Sequence, residues 1–310
     1  MGQGCNTRRD NRVGNAAAEP LCTGHLVGME EFTKERTINN FFPGTVSDIE
    51  DDHGRITFTG DYIVFGNESI HDAHIYCPVN APFHSDPIMK IIGINASPKG
   101  DKSQTRRLVM GVLEGARQAG ADITFIDICS LDIAYCTACG TCYAKGECVT
   151  DDDYGMLLEK MTDADGIVFG SPNYINAVTA QMKTMLDRMA DVVHCQSLAG
   201  KYGCSVCTAG GHYADEVAEY MNMALLNFGA TTVGKVGVLV GADPNAIVAG
   251  EKQAKELGRK LAEAIKTKWK DPAQEKHHEE RKEYFKRLIS FNKDIWTHEY
   301  EHWKALGEMK

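Results

Sequence analysis

From Pro87 onward the sequence alternates runs suited to buried strands with amphipathic stretches, and this alternation restricts the fold more than any other feature. Ile88–Asn95 (IMKIIGIN) is a near-continuous apolar run, the pattern of a central parallel strand covered on both faces. Thr105–Ala119 follows, with Leu108, Val112 and Ala116 on one helical face. Further strands are predicted at Asp122–Ile128, Gly166–Gly170, Tyr202–Cys207 and Thr232–Val240. Helices are predicted at Asp152–Thr162, Thr179–Val193, Asp215–Phe228 and Ala246–Lys268. Five strands alternating with five helices over residues 88–268 predict an α/β domain with a doubly wound five-stranded parallel sheet. The strand order 2-1-3-4-5 is one common solution, with its ligand site at the carboxyl ends of the strands.

The loop after the second strand, residues 134–150, holds Cys136, Cys139, Cys142 and Cys148, a C-x2-C-x2-C-x5-C array within thirteen residues. Two-residue spacers let thiolates converge on one point, and a similar compact run ligates iron–sulfur clusters in bacterial ferredoxins. Thiolate sites of this kind select an iron–sulfur centre or zinc; thiol–disulfide chemistry is a third use of such spacing. The ligand softness and a reducing context favour one [4Fe-4S] cluster on these four cysteines. Tyr135 and Tyr143 flank the array and either screen the centre or pack as ordinary side chains. Asp151, Asp152 and Asp153 lack the glycine and terminal glutamate of an EF-hand, so they are expected to cap the following helix. Cys129, Cys195, Cys204 and Cys207 lie on or near apolar segments and read as buried structural thiols. Cys204 and Cys207 are not expected to be a redox pair, because a strand points residues three apart to opposite faces.

Three further loops fall at strand ends. Ser97 to Thr105 (SPKGDKSQT) surrounds a helix N-terminus with small hydroxyl residues, so Ser97, Lys99, Ser103, Gln104 and Thr105 are candidates to hold a phosphate. The loop lacks G-x-G-x-x-G and the Walker lysine pattern, which argues against dinucleotide or ATP sites of those types. Pro172, Asn173, Tyr174, Ile175 and Asn176 offer aromatic and amide groups to a planar ring and its polar edge. Thr208, Ala209, Gly210 and Gly211 permit close backbone approach. His212 beside them is a candidate proton donor or ring contact, or a plain turn residue. Each loop alone reads as an ordinary connection; all three at one edge of one sheet make a site.

The 310-residue chain carries 33 Lys+Arg against 43 Asp+Glu, a formal net charge of −10, and nucleic acid is not an expected partner because phosphate binding needs a basic face. No apolar run is long enough to predict a membrane span, and no secretory signal is expected. Eleven cysteines are too sparse for a disulfide scaffold, so a reducing, cytoplasmic location is expected. Residues 1–87 form an N-terminal extension whose first 37 residues are polar and aperiodic. Within it, Arg55–Thr59 and Tyr62–Phe65, separated by Gly60-Asp61, predict a β-hairpin. Pro78, Pro82 and Pro87 predict a stiff connector. Cys5, Cys22, Cys77, His25, His53, His71, His74 and His84 match no metal-ligand spacing, and an arm packing on a neighbouring subunit is the simpler reading. Residues 269–310 form a helical tail in which Phe285, Leu288, Ile289, Ile295, Trp296 and Trp303 recur at helical spacings. That predicts an amphipathic helix or helix pair whose apolar stripe docks on another subunit. His277-His278 reads as a solvated face.

The segments INASPKGDKSQTRRL, CTACGTCYAKGECVTDDDY, GSPNYINAVTAQMKTMLDR and CTAGGHYADE resemble the NADPH-dependent FMN reductase family, and within it the iron–sulfur flavoproteins of anaerobes. The resemblance covers about residues 88–240, and the cysteine array is its most specific part. It implies a flavodoxin-like fold and FMN, with the phosphate in the loop matching Ser97 to Thr105. It also implies an isoalloxazine against the loops matching Pro172–Asn176 and Thr208–His212, cluster ligands at the four cysteines, and assembly as a homodimer or homotetramer. Residues 1–87 and roughly 270–310 have no counterpart in compact members of the family. The expected function is an FMN- and [4Fe-4S]-dependent oxidoreductase passing electrons between NAD(P)H or a ferredoxin-like donor and an unidentified acceptor, a small molecule or a redox protein. A non-catalytic electron-transfer or docking subunit of a larger redox complex is one alternative, and a flavin reductase with structural zinc in the cysteine loop is another.

Overall fold

The computed structural model describes residues 46–50, 55–58, 63–65, 74–76, 88–241, 243 and 245–309, which fall into two compact units. The first is an antiparallel sheet of β1 (Val46–Glu50), β2 (Arg55–Phe58), β3 (Ile63–Phe65) and β4 (His74–Tyr76), in the order β1-β2-β3-β4. The expected hairpin is the β2–β3 pair, with Arg55 opposite Phe65 and Thr57 opposite Ile63. The pattern predicts neither β1, which is largely polar, nor β4, which has only three residues. The remaining expectations for residues 1–87, including its proline connector and its cysteine and histidine side chains, lie outside the described residues.

The second unit contains β5 (Lys90–Asn95), β6 (Asp122–Asp127), β7 (Gly166–Pro172), β8 (Tyr202–Ala209) and β9 (Thr231–Leu239). All pair in parallel, in the order β6-β5-β7-β8-β9. Counted from the first of them this is 2-1-3-4-5, the flavodoxin-like doubly wound order, whose direction reverses beside β5. One face is covered by α1 (Gln104–Gln118) and α7 (Ala246–Thr267). The short α2 (Thr141–Lys145) lies in the cysteine loop. The other face is covered by α3 (Tyr154–Asp163), α4 (Ala180–Arg188), α5 (Ala190–Cys195) and α6 (Ala214–Asn227).

Side chains alternate between these two layers. Ile91, Val168 and Cys204 join α1 and α7, while Ile92, Phe169 and Cys207 join α3 to α6. Cys204 and Cys207 thus lie in separate cores, as a two-residue period requires. Full burial of a side chain such as Phe169 is worth about 1.5–3 kcal/mol, which is why both faces of these strands read as apolar. Helices α1 and α7 pack backbone to backbone: a Cβ on Gly115 would sit 1.9 Å from Lys255 O, and one on Gly258 1.9 Å from Val112 O. The single helix expected over Thr179–Val193 is two. Met189, at ψ 28°, ends α4 and starts α5 with its side chain fully buried, so packing rather than propensity sets the break.

The tail forms α8 (Pro272–Phe291) and α9 (Thr297–Ala305). Its apolar stripe, expected to dock on another subunit, is in large part covered within the chain. Phe285, Ile289 and Trp303 form a buried cluster with Trp296, Tyr300 and Val193 of α5, because the turn after Phe291 folds α9 back. His277 and His278 are half-buried rather than solvated, with His277 Nε2 3.2 Å from Asn227 Oδ1 of α6. Among the described residues no helix is long and apolar enough to cross a membrane.

Candidate functional site

Strands β5, β7 and β8 deliver the three strand-end loops to one edge of the sheet. Ser103 caps α1, its Oγ accepting from Arg106 N at 3.0 Å, which fixes the helix N-terminus against the first loop. Ser97, Ser103 and Thr105 are buried, Gln104 is half-buried and Lys99 is exposed. The Thr105 and Thr208 hydroxyls meet at 2.7 Å and tie the first loop to the third. Asn173 joins the second to the third: its N–H donates to Thr208 O at 2.8 Å and its Nδ2 to His212 O at 2.7 Å. Asn173 Oδ1 is buried without a hydrogen-bond partner, an acceptor that a ligand N–H would satisfy. Pro172 ends β7, and beyond it Tyr174, Ile175 and Asn176 are exposed. A Cβ on Gly210 or Gly211 would meet nothing within 4 Å, so open space lies beside the stretch that follows Thr208 and Ala209. The backbone carbonyl of His212 serves the loop, while its ring meets the edge of the Tyr213 ring at 6.3 Å.

The cysteine loop leaves the same edge after β6. Cys136, Cys139, Cys142 and Cys148 are free thiols that line one cavity of about 80 Å³ together with Thr150 and Arg188. Left-handed backbone at Ala138 (φ 55°) and Gly140 (φ 70°) bends the chain around that cavity. Ala138 N donates to Cys136 Sγ at 3.4 Å. The hydroxyl and N–H of Thr141 hold the Cys139 thiol below its ordinary range. Burial pushes Cys148 up, but hydrogen bonds from the N–H and hydroxyl of Thr150, with the charge of Arg188, outweigh it and leave this thiol lowered. Burial and the nearby Asp191 carboxylate push Cys142 up to about 11. Two of the four therefore sit in surroundings that favour the thiolate, the form that binds metal.

Several supports of this loop escape a reading of the sequence. Arg188, at the end of α4, donates to Asp152 at 2.6 and 3.2 Å and to Ala134 O at 2.9 Å, with both side chains buried. The signal was an arginine on the apolar face of a helix that also presents Met182 and Met185, a position that needs a buried partner. Two of the aspartates expected to cap α3 also close the loop. Asp152 Oδ2 accepts from Ala134 N at 3.0 Å, and Asp153 Oδ2 from Asp132 N at 2.8 Å; Asp152 Oδ1 also accepts from Tyr154 N in the first turn of α3. The tail supports the loop as well. Tyr143 stacks on His194, which bonds Glu299 Oε1 through Nδ1 at 2.9 Å, and Thr297 Oγ1 donates to Ala144 O at 2.9 Å. Tyr135, by contrast, is exposed. Gly146 (φ 75°) lies so close to α9 that a Cβ there would be 2.5 Å from the His298 ring.

Six non-glycine residues among those described have positive φ. Gln196 and Lys268 end helices; Ala138, Ile175, Asn176 and Tyr213 sit in the cysteine loop and beside the strand-end loops. Strain of this kind collects where a site over-determines the backbone.

Residues 89–245 match the NADPH-dependent FMN reductase family. An iron-sulfur flavoprotein of Archaeoglobus fulgidus is 37% identical over 71% of this chain and 99% of its own length. The iron-sulfur flavoprotein MJ1083 of Methanocaldococcus jannaschii is 30% identical over 57% of this chain and 98% of its own. A solved flavone reductase shares 23% identity over 57% of this chain and 63% of that one, at a TM-score of 0.48. The chain belongs to the NADPH-dependent FMN reductase family and is a flavin-dependent oxidoreductase. Within the family its resemblance is to the iron–sulfur flavoproteins. The 225 residues aligned with the Archaeoglobus protein are more than residues 88–268 can supply. At least one of the two end segments expected to lack a counterpart is therefore matched in part.

Proposed function

We propose that this chain binds FMN at the three strand-end loops and a [4Fe-4S] cluster at Cys136, Cys139, Cys142 and Cys148, and passes electrons between NAD(P)H or a ferredoxin-like donor and an acceptor. The observation that carries the reading is the convergence of all four thiols on one cavity at the sheet edge that also bears the three loops. A volume of about 80 Å³ is several times what one water-sized occupant needs, which favours a cluster over a lone zinc ion. The iron-sulfur flavoproteins it matches supply further support.

The residues fit the groups. Ser97, Ser103 and Thr105, with the N-terminus of α1, form a phosphate cradle, beside exposed Lys99 and half-buried Gln104. Asn173 offers its unpartnered Oδ1 to a ring N–H, and the backbone from Thr208 through Ala209 to Gly210 and Gly211 leaves room for a flat ring; Pro172, Tyr174, Ile175 and Asn176 border it. His212 stands where it can hold a proton near a bound substrate. Arg188 and the hydroxyls of Thr141 and Thr150 stabilise negative charge on the cysteine sulfurs, a lever that tunes a cluster's potential. When bound, FMN takes hydride while a cluster moves single electrons, so the pair would convert two-electron to one-electron transfer.

Iron, sulfide, zinc and FMN content of anaerobically purified protein tests the reading. Cys139→Ala is expected to lose iron and keep FMN; unchanged iron, or zinc in place of iron, overturns the cluster assignment. Steady-state oxidation of NADH or NADPH with a simple acceptor is expected, and its absence would make the chain an electron carrier.

A further inference from the structure

Beside the cysteine loop, two helices from distant parts of the chain present metal-binding side chains one turn apart. Helix α5 carries Asp191 and Cys195, and α9 carries His298 and His302. Residues four apart share a helix face, and here the two faces meet. The ligand atoms of Asp191, Cys195 and His298 all lie within 4.8 Å of one another. Cys195 Sγ is 3.8 Å from Asp191 Oδ1, and His298 Nε2 is 3.9 Å from Asp191 Oδ2. Tetrahedral bonds of about 2.0–2.3 Å place neighbouring ligand atoms about 3.3–3.8 Å apart, so even the widest spacing in a set that spans no more than 4.8 Å needs to close by only about 1 Å.

A second observation points the same way. On α9, Nε2 of His302 and Oε2 of Glu299 are buried without a hydrogen-bond partner, and an orphaned buried polar atom next to such a cluster calls for an ion or water. Nε2 is thus a ring nitrogen of His302 that an ion or water could take up. Thiolate, imidazole and carboxylate together suit a borderline-soft divalent ion; calcium and magnesium take all-oxygen sets.

We propose that Asp191, Cys195 and His298 bind one zinc ion, with His302 or water in the fourth position. The site shares no ligand with the cysteine array. It would clamp the tail helix to the core at the point where Thr297 and His298 touch the cysteine loop, and closing it deprotonates Cys195 and releases that proton to solvent.

The test uses full-length protein with its cofactors, incubated anaerobically with excess zinc chloride and desalted. One retained zinc per chain is expected, with a zinc-edge X-ray absorption spectrum fitted by one sulfur and three nitrogen or oxygen ligands. Cys195→Ala and His298→Ala are each expected to weaken zinc retention at least about tenfold, whereas Cys139→Ala, in the array, retains it. No retained zinc, a four-sulfur spectrum, or retention unchanged in both variants overturns the proposal. Should a variant fail to fold, the spectrum of the unaltered protein decides. Iron and FMN content of the same sample report the electron-transfer reading separately, so either idea can fail alone.

Discussion

The strand-end loops and the cysteine loop rise from the same sheet edge but are held in different ways. The first three are fastened by neutral groups of their own: the hydroxyls of Thr105 and Thr208 and the Asn173 amide join loop to loop, and Ser103 caps α1 within the first. The cysteine loop is fastened by charge and by remote chain, through Arg188 on Asp152 and through the tail helix α9. A site made of backbone and hydroxyls tolerates side-chain change at its rim, whereas one that rests on a buried ion pair fails when either partner is lost.

That contrast can be broken by measurement. The largest effect is expected for Arg188→Met, which leaves the buried Asp152 without its counter-ion and should cost about 3–5 kcal/mol in urea unfolding. The same variant should lower the metal content of the array, and a loss under about 1 kcal/mol would show that the ion pair does not hold the loop. Thr105→Val comes next: it strands the Thr208 hydroxyl, and about 1–3 kcal/mol is expected. The double variant with Thr208→Val should recover part of this, because the orphan is then removed. Ser103→Ala should cost about 1 kcal/mol through loss of the α1 cap, with weaker retention of FMN through gel filtration. The smallest change in stability is expected for Gly210→Ala, within about 0.5 kcal/mol, because its Cβ would meet nothing. A fall in bound FMN in that variant would sharpen the contrast, since the ligand alone would then feel the methyl group.

The same contrast explains what the sequence made legible. Strands such as β5 and β7 announce themselves because burial on both faces demands continuous apolar residues, and the strand-end loops follow from where those strands stop. The cysteine array is legible because its four thiols are close in sequence. Arg188 lies 36 residues from Asp152 and Glu299 lies 105 from His194, and no periodicity links such pairs. The aspartates after the array illustrate the limit. An Asp-rich helix start suggests capping, yet only Asp152 accepts from the first turn of α3, and it and Asp153 also take the loop's own N–H groups at Ala134 and Asp132. The tail shows it again, since an apolar stripe reveals that it must be covered but not by which surface.

The carboxylates of Asp152 and Asp153 join the entrance of the cysteine loop to its exit without using any of the four sulfurs. The bend that carries the sulfurs is thus closed by peptide N–H groups and carboxylates of its own, and its shape does not wait on whatever the four thiols come to hold.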